Sequence, residues 1–426
     1  MDAYFVEMLR RLRLTKKQRK DAVTKYEGVA KKLHQAFYDT EYDGSTKLLI
    51  GSYGKKTNIR PPGDVDLIFK IPVEVYEQYL NYQGNGPSAL LQKIRQILGT
   101  KYTTTEKIAA WGKVVLIEFA GNAHNIELLP GYEIDGVFMI PNSEDGGSWE
   151  SFDARADLCV VSDSNATTGG QTRKLIRIIK RWYKLNKRMT IKPYELEKYC
   201  ADFLAQPNME DKSWSELVGE FFGWLYIHAD KDFTYIETAK NRAAKARGLE
   251  VQESIEKACE EWSKIFDKAF PAYSKDLNDV YKLSQQYPSS DEEYVEDLFP
   301  VKLNREYTAT IASHVTGPGF MPRSIGEFLA RYAGIPRNMK IDFQATTNVL
   351  GHVEFWWKVR NFGPEAKAVE VGKGLRGEVQ STVGNSKRET TAYHGTHYVE
   401  CYVIKDGKCV AKALQFVPIN KNVTEE

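Results

Sequence analysis

A glycine–serine pair and two aspartates stand close together in the first part of the chain. Gly51 and Ser52 follow a short apolar run, and Asp64 and Asp66 open the next one. Glycine permits a tight turn whose backbone N–H groups, together with the serine hydroxyl, can face a phosphate. Residues two apart in a strand project from the same face, so the two carboxylates can share divalent cations. Such cations neutralise a triphosphate and activate a hydroxyl for in-line displacement.

This chemistry needs a third carboxylate from a neighbouring strand, and Glu127 is the candidate. Its neighbours Ile126 and Leu128 are apolar, so its side chain leaves the opposite face of its strand. Asp64, Asp66 and Glu127 are therefore the predicted catalytic carboxylates and the predicted ligands of two Mg²⁺ or Mn²⁺ ions. An ordinary turn before an exposed strand would also contain a glycine–serine pair and a D-x-D pattern. The acidic residue on a later strand favours the metal site.

Further along the chain, a predicted helix carries one apolar and one basic stripe. The apolar stripe is typical of core and consists of Leu175, Ile178, Ile179 and Trp182. The basic stripe consists of Arg173, Arg177, Lys180 and Lys184. A basic stripe is either solvated or faces an anion such as a triphosphate, and the pattern alone leaves both possibilities open.

The elements that position these residues follow from periodicity. Capping-box spacing of Thr15 and Gln18 and the pattern behind it predict helix in the first forty residues. Its basic cluster, Arg10–Lys20, is more typical of a solvated helix face than of a nucleic-acid contact. Short apolar runs over Leu48–Leu129 predict strands of a mixed sheet, with a helix around Pro87–Leu98. Helical patterns return from about residue 171 to about residue 286.

The last third of the chain has a different character. Segments such as KIDFQAT, VEFWWKVRN, VECYVIK and CVAKALQFVPI predict the strands of a β-sandwich-like domain. The segment YPSSDEEYVEDLFP, between the helical part and these strands, has the composition of a linker. We therefore expect an α+β protein with three parts: a core at 1–205, a helical lobe at 206–290 and a β-rich domain at 304–426.

Composition excludes several classes of protein. The 426 residues contain 59 Lys and Arg against 57 Asp and Glu, a net charge of +2. This balance excludes a protein that coats nucleic acid through bulk positive charge. No run of about 18 apolar residues is present, so we expect no membrane span, and the amphipathic N-terminus is not typical of a secretory signal. Five scattered cysteines fit a reducing compartment, which predicts a cytoplasmic protein.

The motifs match a known family. The segment GSYGKKTNIRPPGDVDL resembles the G-S-x(n)-D-x-D signature of DNA polymerase β-like nucleotidyltransferases, and more narrowly of the bacterial cGAS/DncV-like nucleotidyltransferases, or CD-NTases (the SMODS domain). The segment DGVFMIP with Trp149, the helix RKLIRIIKRW and the segment YELE are similar to later family motifs. The resemblance covers roughly residues 40–205 and implies a polymerase β-like core.

The resemblance also implies roles for individual residues. Lys180 takes the place of the phosphate-binding lysine, Arg177 lies in the same basic motif, and Tyr194 takes the place of the ring that stacks on a base. Two positions depart from the family: Glu127 stands where most relatives have Asp, and Pro193 stands where Ser usually precedes the tyrosine.

The C-terminal part resembles the AGS-C domain, a sensor attached to such enzymes. The similarity lies in WKVRNFGPEA, LRG and RETTAYHGTHYVEC. A shared metal site of His394, His397, Cys401 and Cys409 is disfavoured by strand register. A two-residue turn at Asp406-Gly407 pairs Cys409 with Ile404, which places the two thiols on opposite faces.

These observations predict a template-independent nucleotidyltransferase that uses nucleoside triphosphates and divalent metal. By resemblance, its product is a cyclic di- or oligonucleotide that signals to an effector protein in anti-phage defence. Three alternatives remain: a polymerase of linear RNA or DNA oligonucleotides, a catalytically silenced nucleotide sensor, and a transferase that modifies RNA or a protein side chain.

Overall fold

The computed structural model describes residues 1–120, 124–273, 280, 283–284, 286–289, 292–303, 306–369 and 373–420. They divide into two compact units, Met1–Ser274 and Lys275–Glu426. Within the described ranges, no helix is long and apolar enough to cross a membrane.

The first unit contains eleven α-helices among its described residues. They are α1 (Asp2–Arg11), α2 (Lys16–Phe37), α3 (Gly51–Gly54), α4 (Val73–Leu80), α5 (Gly86–Gly99), α6 (Ala154–Thr167), α7 (Gln171–Leu185), α8 (Pro193–Leu204), α9 (Trp214–His228), α10 (Phe233–Val251) and α11 (Ile255–Phe266). The predicted capping box starts α2, since Thr15 accepts from the Gln18 N–H and Gln18 accepts from the Thr15 N–H. Lys16, Lys17 and Lys20 are exposed, as a solvated face requires.

The strands of this unit form one mixed sheet of seven. They are β1 (Lys47–Leu49), β2 (Val65–Lys70), β3 (Lys107–Trp111), β4 (Val114–Glu118), β5 (Ile126–Ile134), β6 (Val137–Asn142) and β7 (Ser148–Phe152). The main order is β1-β2-β5-β4-β3, and β6 and β7 extend from β5. Only the pair β2 and β5 is parallel among the described strand pairs. The sequence-based prediction of a mixed sheet is confirmed.

The two faces of strands β2 and β5 are covered differently. Val65, Leu67, Ile126 and Leu128 are fully buried in a cluster with apolar residues of α2 and α5. Residues between them in the sequence face the other way, where Ile68 belongs to a smaller cluster with residues of β6. Side chains of Asp66 and Glu127 leave the sheet on this second face, because successive side chains alternate along a strand.

Helix α7 combines a buried and a charged side. Its predicted apolar stripe is buried, with Leu175 and Ile178 fully inaccessible to solvent and Trp182 stacked edge-on against Phe222 of α9. Within the predicted helical region, the residues after α9 form two helices, α10 and α11.

The second unit is a β-sandwich with three short helices among its described residues. Its helices are α12 (Val295–Leu298), α13 (Ile325–Leu329) and α14 (Pro364–Ala368), and its strands are β8 (Ala309–Gly317), β9 (Phe320–Arg323), β10 (Lys340–Thr347), β11 (Glu354–Arg360), β12 (Arg376–Ser381), β13 (Ser386–Thr390), β14 (Gly395–Lys405) and β15 (Lys408–Ile419). One sheet has the order β13-β10-β8-β9 and the other β12-β11-β14-β15. The predicted fold class is confirmed, although the sequence patterns did not identify β8, β9, β12 or β13.

The register of β14 and β15 agrees with the turn-based prediction. Ile404 pairs with Cys409. Cys401 belongs to the cluster between the two sheets, and Cys409 to a cluster on the outer face with Tyr402. All five cysteines are free thiols.

The predicted linker differs from expectation over its described residues. Glu292 is buried and accepts from Lys358 Nζ at 2.8 Å and Arg360 Nε at 3.2 Å. Val295 is buried in the outer-face cluster, and Phe299 packs edge-on against Trp356. Residues 292–299 therefore pack against the outer face of the sandwich and are part of the second unit. Residues 290–291 of the same segment lie outside the described residues.

Candidate active site

The glycine–serine turn lies directly against Asp66. Gly51 has a φ of +54°, and a Cβ added there would come within 2.0 Å of Asp66 Oδ2. The carboxylate of Asp66 accepts from the Ser52 N–H, and the Asp66 carbonyl accepts from the Ile50 N–H at 3.0 Å. Glycine at position 51 is thus required twice, by the backbone conformation and by the close approach of Asp66.

The three predicted carboxylates lie at the start of two adjacent strands. Asp66 and Glu127 are direct neighbours in the parallel register of β2 and β5. Asp64 is two residues before Asp66, immediately ahead of β2, and is exposed to solvent. Sequence alternation had already predicted a common face for the aspartates, and the parallel pairing now adds Glu127 to that face.

The charges on this face repel one another. Burial and the nearby charges of Glu127 and Asp64 raise the pKa of Asp66 to about 6, although Lys180 and the Ser52 N–H oppose the shift. Burial and the charge of Asp64 likewise raise the pKa of Glu127. Raised carboxylate pKa values of this origin indicate negative charge that the protein alone does not balance.

The donor set fits a divalent cation. Carboxylate oxygens are the ligands that Mg²⁺ prefers, and a cation would balance the repulsion on this face. The three carboxylates do not converge on one point in this conformation. Among the described residues, no three His, Cys, Asp or Glu side chains are close enough together to hold a metal ion.

The basic stripe of α7 binds the loop between α3 and β2. Arg173 Nε donates to the carbonyl of Lys55 at 2.9 Å and Arg177 Nη2 to that of Lys56 at 2.7 Å. Two turns further, Lys184 Nζ donates to the carbonyl of Pro61 at 3.1 Å. The stripe therefore does something that the sequence patterns did not indicate: it secures the loop that joins the glycine–serine turn to the aspartates.

Arg177 nevertheless keeps one unused donor. Its Nε is buried and has no hydrogen-bond partner within the described part of the chain. Burial, with the charges of Arg13 and Arg173, lowers the pKa of Arg177 to about 10. Positive charge crowded at this position and a spare donor are the features that an anionic ligand would satisfy.

Lys180 belongs to a buried network centred on Glu197. Lys180 Nζ lies 2.5 Å from Glu197 Oε1 and donates to Thr57 Oγ1 at 2.7 Å. Lys55 Nζ donates to Glu197 Oε2 at 2.8 Å, and Thr57 Oγ1 donates to Glu197 Oε1 at 3.0 Å. Burial opposes ionisation of Glu197, but the two lysines outweigh it and lower the pKa of this carboxyl.

Sequence reasoning did not identify Lys55, Thr57 and Glu197 as part of the site. A signal for Glu197 was present, because it shares the buried face of α8 with Leu196, Cys200 and Ala201. An acidic residue at apolar helical spacing is almost never buried without a partner. Nothing in the sequence named that partner.

Tyr194, unlike the buried residues of this network, is exposed to solvent. It is the second residue of α8, and 62% of its surface is exposed. The exposed ring lies beside Lys231 and can stack on a flat ligand without prior rearrangement of the core.

Ser52, the predicted phosphate-binding serine, is half-buried within the short helix α3.

Two family models match the chain. Residues 1–165 match the Second Messenger Oligonucleotide or Dinucleotide Synthetase (SMODS) domain, and residues 289–420 match the Adenylyl/Guanylyl and SMODS C-terminal sensor domain. Together the two ranges take in more than half of the chain. No curated protein sequence matches significantly.

Several solved structures resemble part of the chain at low identity. They are Escherichia coli MS115-1 CdnC with HORMA-deltaN (14% identity, 64% of this chain, 99% of that chain, TM-score 0.46), Bradyrhizobium diazoefficiens CD-NTase CdnG with GTP (14%, 63%, 96%, 0.45) and Vibrio cholerae DncV cyclic AMP-GMP synthase with nonhydrolyzable GTP (14%, 65%, 88%, 0.43). The assignment rests on the two family models, which occur in the order that the sequence motifs predict. Residues 1–165 therefore belong to the SMODS domain family of second-messenger nucleotidyltransferases, and residues 289–420 to the AGS-C sensor domain family.

Proposed function

We propose that this enzyme joins nucleoside triphosphates without a template into a cyclic di- or oligonucleotide second messenger. The observation that carries the proposal is the carboxylate face. Asp66 and Glu127 are register neighbours, Asp64 adjoins them, and the Gly51 turn is pressed against Asp66. An uncompensated carboxylate face next to a glycine–serine turn suits metal-assisted phosphoryl chemistry.

Asp64, Asp66 and Glu127 would hold two Mg²⁺ or Mn²⁺ ions. When bound, such ions neutralise phosphate charge and lower the pKa of an acceptor hydroxyl. Glu127 is one methylene longer than the aspartate of most relatives, and its position beside Asp66 in the register lets its carboxylate serve the same face. The substitution is therefore compatible with an active enzyme.

The triphosphate would be bound by Gly51 and Ser52 on one side and by Arg177 and Lys180 on the other. Arg177 has a buried donor to offer. Lys180 lies close enough to Asp66 to stabilise its charge, and therefore stands at the carboxylate face. Tyr194 would stack on a base, where each stacked base contributes about 1–3 kcal/mol.

The chemical step is an in-line displacement. The acceptor hydroxyl oxygen forms a bond to the α-phosphorus, the bond from that phosphorus to the β-phosphate oxygen breaks, and pyrophosphate leaves. A carboxylate of the cluster accepts the hydroxyl proton. Repetition of this step on the growing product gives a linear chain. Attack by its terminal hydroxyl on the α-phosphorus of the triphosphate at its other end closes a ring and releases a further pyrophosphate.

The proposal extends to the protein that binds the nucleotide product. The matched family model describes synthetases of second messengers, and the sequence resemblance concerns enzymes of anti-phage defence. We infer that the product binds an effector protein in such a defence system. Co-expression with candidate effector proteins, with and without phage challenge, would test this role separately from the chemistry.

The decisive experiment uses labelled ribo- and deoxynucleoside triphosphates with Mg²⁺ or Mn²⁺. We expect pyrophosphate release and a product that resists phosphatase, because a ring has no terminal phosphate. A phosphatase-sensitive ladder would instead identify a polymerase of linear oligonucleotides. Nucleotide binding without pyrophosphate release, for every nucleotide and both metals, would identify a silenced sensor.

A double variant tests the assignment of the site. Asp64→Asn with Asp66→Asn should abolish product formation while the fold is retained, since both asparagines keep the size of the side chains. Asp163→Asn, an exposed carboxylate of α6, is the matched control and should leave turnover unchanged. Full activity of the double variant would show that the carboxylate face is not the active site.

A further inference from the structure

The β-sandwich of the second unit contains a cavity between its two sheets that is partly open to solvent. The cavity has a volume of about 170 Å³. Its apolar walls come from both sheets and are formed by Ile341, Phe343, Val359, Val399, Val417 and Ile419. Sandwich interiors are normally packed to the density of organic crystals, so a space of this size needs an explanation.

Charged side chains reach this interior from the edge strand β13. Glu389 pairs in register with Ile341, and Lys387 with Phe343. Both apolar partners are 1% exposed and face the core. Neighbours in register share a face, so Lys387 and Glu389 project into the gap between the sheets rather than outward.

Arg376, on the edge strand of the other sheet, closes the same side of the sandwich. Its guanidinium donates to Glu389 through two bonds, Nη1 to Oε2 at 2.7 Å and Nη2 to Oε1 at 3.2 Å. Lys387 Nζ lies 3.4 Å from Glu389 Oε1. Arg376 and Glu389 both line the cavity. Arg376 and Lys387 thus share the carboxylate of Glu389, and the cavity wall itself carries two cationic side chains, Arg376 and Lys373, against this one carboxylate.

The backbone of Arg376 is held in an uncommon conformation. Its φ is +53°, in the left-handed region that costs a residue with a side chain on the order of 1 kcal/mol. The register of β11 and β12 is irregular at the same place. Arg376 is paired with Arg360, whose side chain binds Glu292 on the outer face, yet its own guanidinium reaches Glu389. A non-glycine residue keeps such a conformation only where the surrounding structure fixes it.

The polar groups deeper in the cavity are already satisfied. His397 accepts from the Phe362 N–H at 3.1 Å through Nδ1, and its Nε2–H donates to the Tyr393 carbonyl at 2.8 Å. These bonds fix the neutral tautomer and leave neither ring nitrogen for a ligand. Among the described residues, the cationic side chains that line the cavity are Arg376 and Lys373, so the charged end of a ligand would be recognised there.

We propose that this cavity binds a small organic acid with a compact, ring-sized apolar body and one carboxylate. An engineered protein cavity of about 150 Å³ accepts benzene, so the observed volume holds one ring. The ligand carboxylate takes the place of Glu389 on the guanidinium of Arg376, since bidentate arginine–carboxylate geometry serves either partner equally. The ring is buried between the sheets. This site is separate from the proposed nucleotidyl transfer and does not depend on it.

Calorimetric titration of the full chain tests the proposal with benzoate as the probe. Benzyl alcohol, which has the ring without the charge, and inorganic phosphate, which has charge without the ring, are the comparison ligands. We expect benzoate to bind at least about ten-fold more tightly than either. Equal binding of benzyl alcohol, or no binding of benzoate, would overturn the proposal.

Three variants locate the binding site. Arg376→Gln should weaken benzoate at least about ten-fold, and Glu389→Gln should tighten it, because the competing internal carboxylate is gone. Arg388→Gln is the matched control, since Arg388 lies on the same strand but binds Asp342 on the outer face. Unchanged affinity in Arg376→Gln, with the circular dichroism spectrum of the parent chain, would contradict the assignment.

Discussion

The first unit contains a cluster of carboxylates in which pKa values are raised and a buried carboxylate, Glu197, with a lowered pKa. Asp64, Asp66 and Glu127 face one another, and the pKa of Asp66 rises to about 6. Glu197 is enclosed by Lys55 and Lys180, and its pKa falls. Lys180 stands between them, since it pairs with Glu197 and also lowers the pKa of Asp66.

The difference distinguishes carboxylates that repel one another from a carboxylate that is paired with lysines inside the fold. Buried charge without an internal partner is costly, and natural proteins retain it where a ligand supplies the missing charge. Buried charge with complete pairing stabilises a specific arrangement, and the loss of one partner leaves the others uncompensated. The predictions below test this contrast.

The largest effect is expected at Asp66. Asp66→Asn should lower kcat on the order of a thousand-fold, because a ligand of the proposed cations is lost while substrate binding elsewhere is kept. The melting temperature should not fall, since the change removes a repelled charge and asparagine can still accept from the Ser52 N–H. Steady-state pyrophosphate release and thermal unfolding measure the two quantities. A large loss of stability with unchanged kcat would reverse the contrast.

Glu197→Gln should destabilise the chain by about 3–5 kcal/mol, because the buried Lys180 loses its salt-bridge partner and Lys55 keeps only the partly exposed Asp157. Denaturant unfolding measures this free energy. Glu220→Gln provides the control: Glu220 pairs with Lys212 near the surface, and this change should cost less than about 1 kcal/mol. Similar losses in the two variants would mean that the Glu197 network is not a buried, fully paired group.

The stabilisation from Glu197 should also depend on pH in a defined direction. Its pKa is lower in the folded than in the unfolded chain, so its contribution is complete above the ordinary glutamate value of 4.5. The contribution is lost as the pH falls through the lowered value. The difference in unfolding free energy between the parent and Glu197→Gln should therefore narrow below about pH 4.5. A difference that widens on acidification would contradict the direction of the shift.

The smallest effect is expected at Tyr194. Tyr194→Leu removes an exposed ring, so the melting temperature should be unchanged. Loss of one stacking contact of about 1 kcal/mol predicts roughly a five-fold rise in KM with little change in kcat. Tyr194→Phe keeps the ring and should restore the parent value. An equal effect of both substitutions would show that the hydroxyl, not the ring, contacts the substrate.

Local patterns were sufficient for the elements and for part of the site. Alternation within β2 and β5 put Asp64 and Asp66 on one face and separated Glu127 from its apolar neighbours. The same patterns missed β8, β9, β12 and β13, whose sequences are rich in polar residues and contain no continuous apolar run, although the residues of β8 and β13 alternate in exposure along the strand. They also suggested that the segment YPSSDEEYVEDLFP is a linker, because the buried partners of Glu292 are Lys358 and Arg360, more than sixty residues away.

The sequence by itself determined the turn, the two aspartates, the amphipathic helix α7 and the order of the two domains, since all of these depend on neighbouring residues. Only the tertiary structure decided what the charges do. Lys180 meets Thr57 across 123 residues of chain, and the parallel pairing of β2 with β5 places Glu127 beside Asp66. A charged side chain is the same in sequence whether its partner is water, a carbonyl, a carboxylate or a ligand. Only the packing of the chain decides which of these partners lies within reach. It therefore also decides whether a carboxylate is paired or lacks a counter-charge.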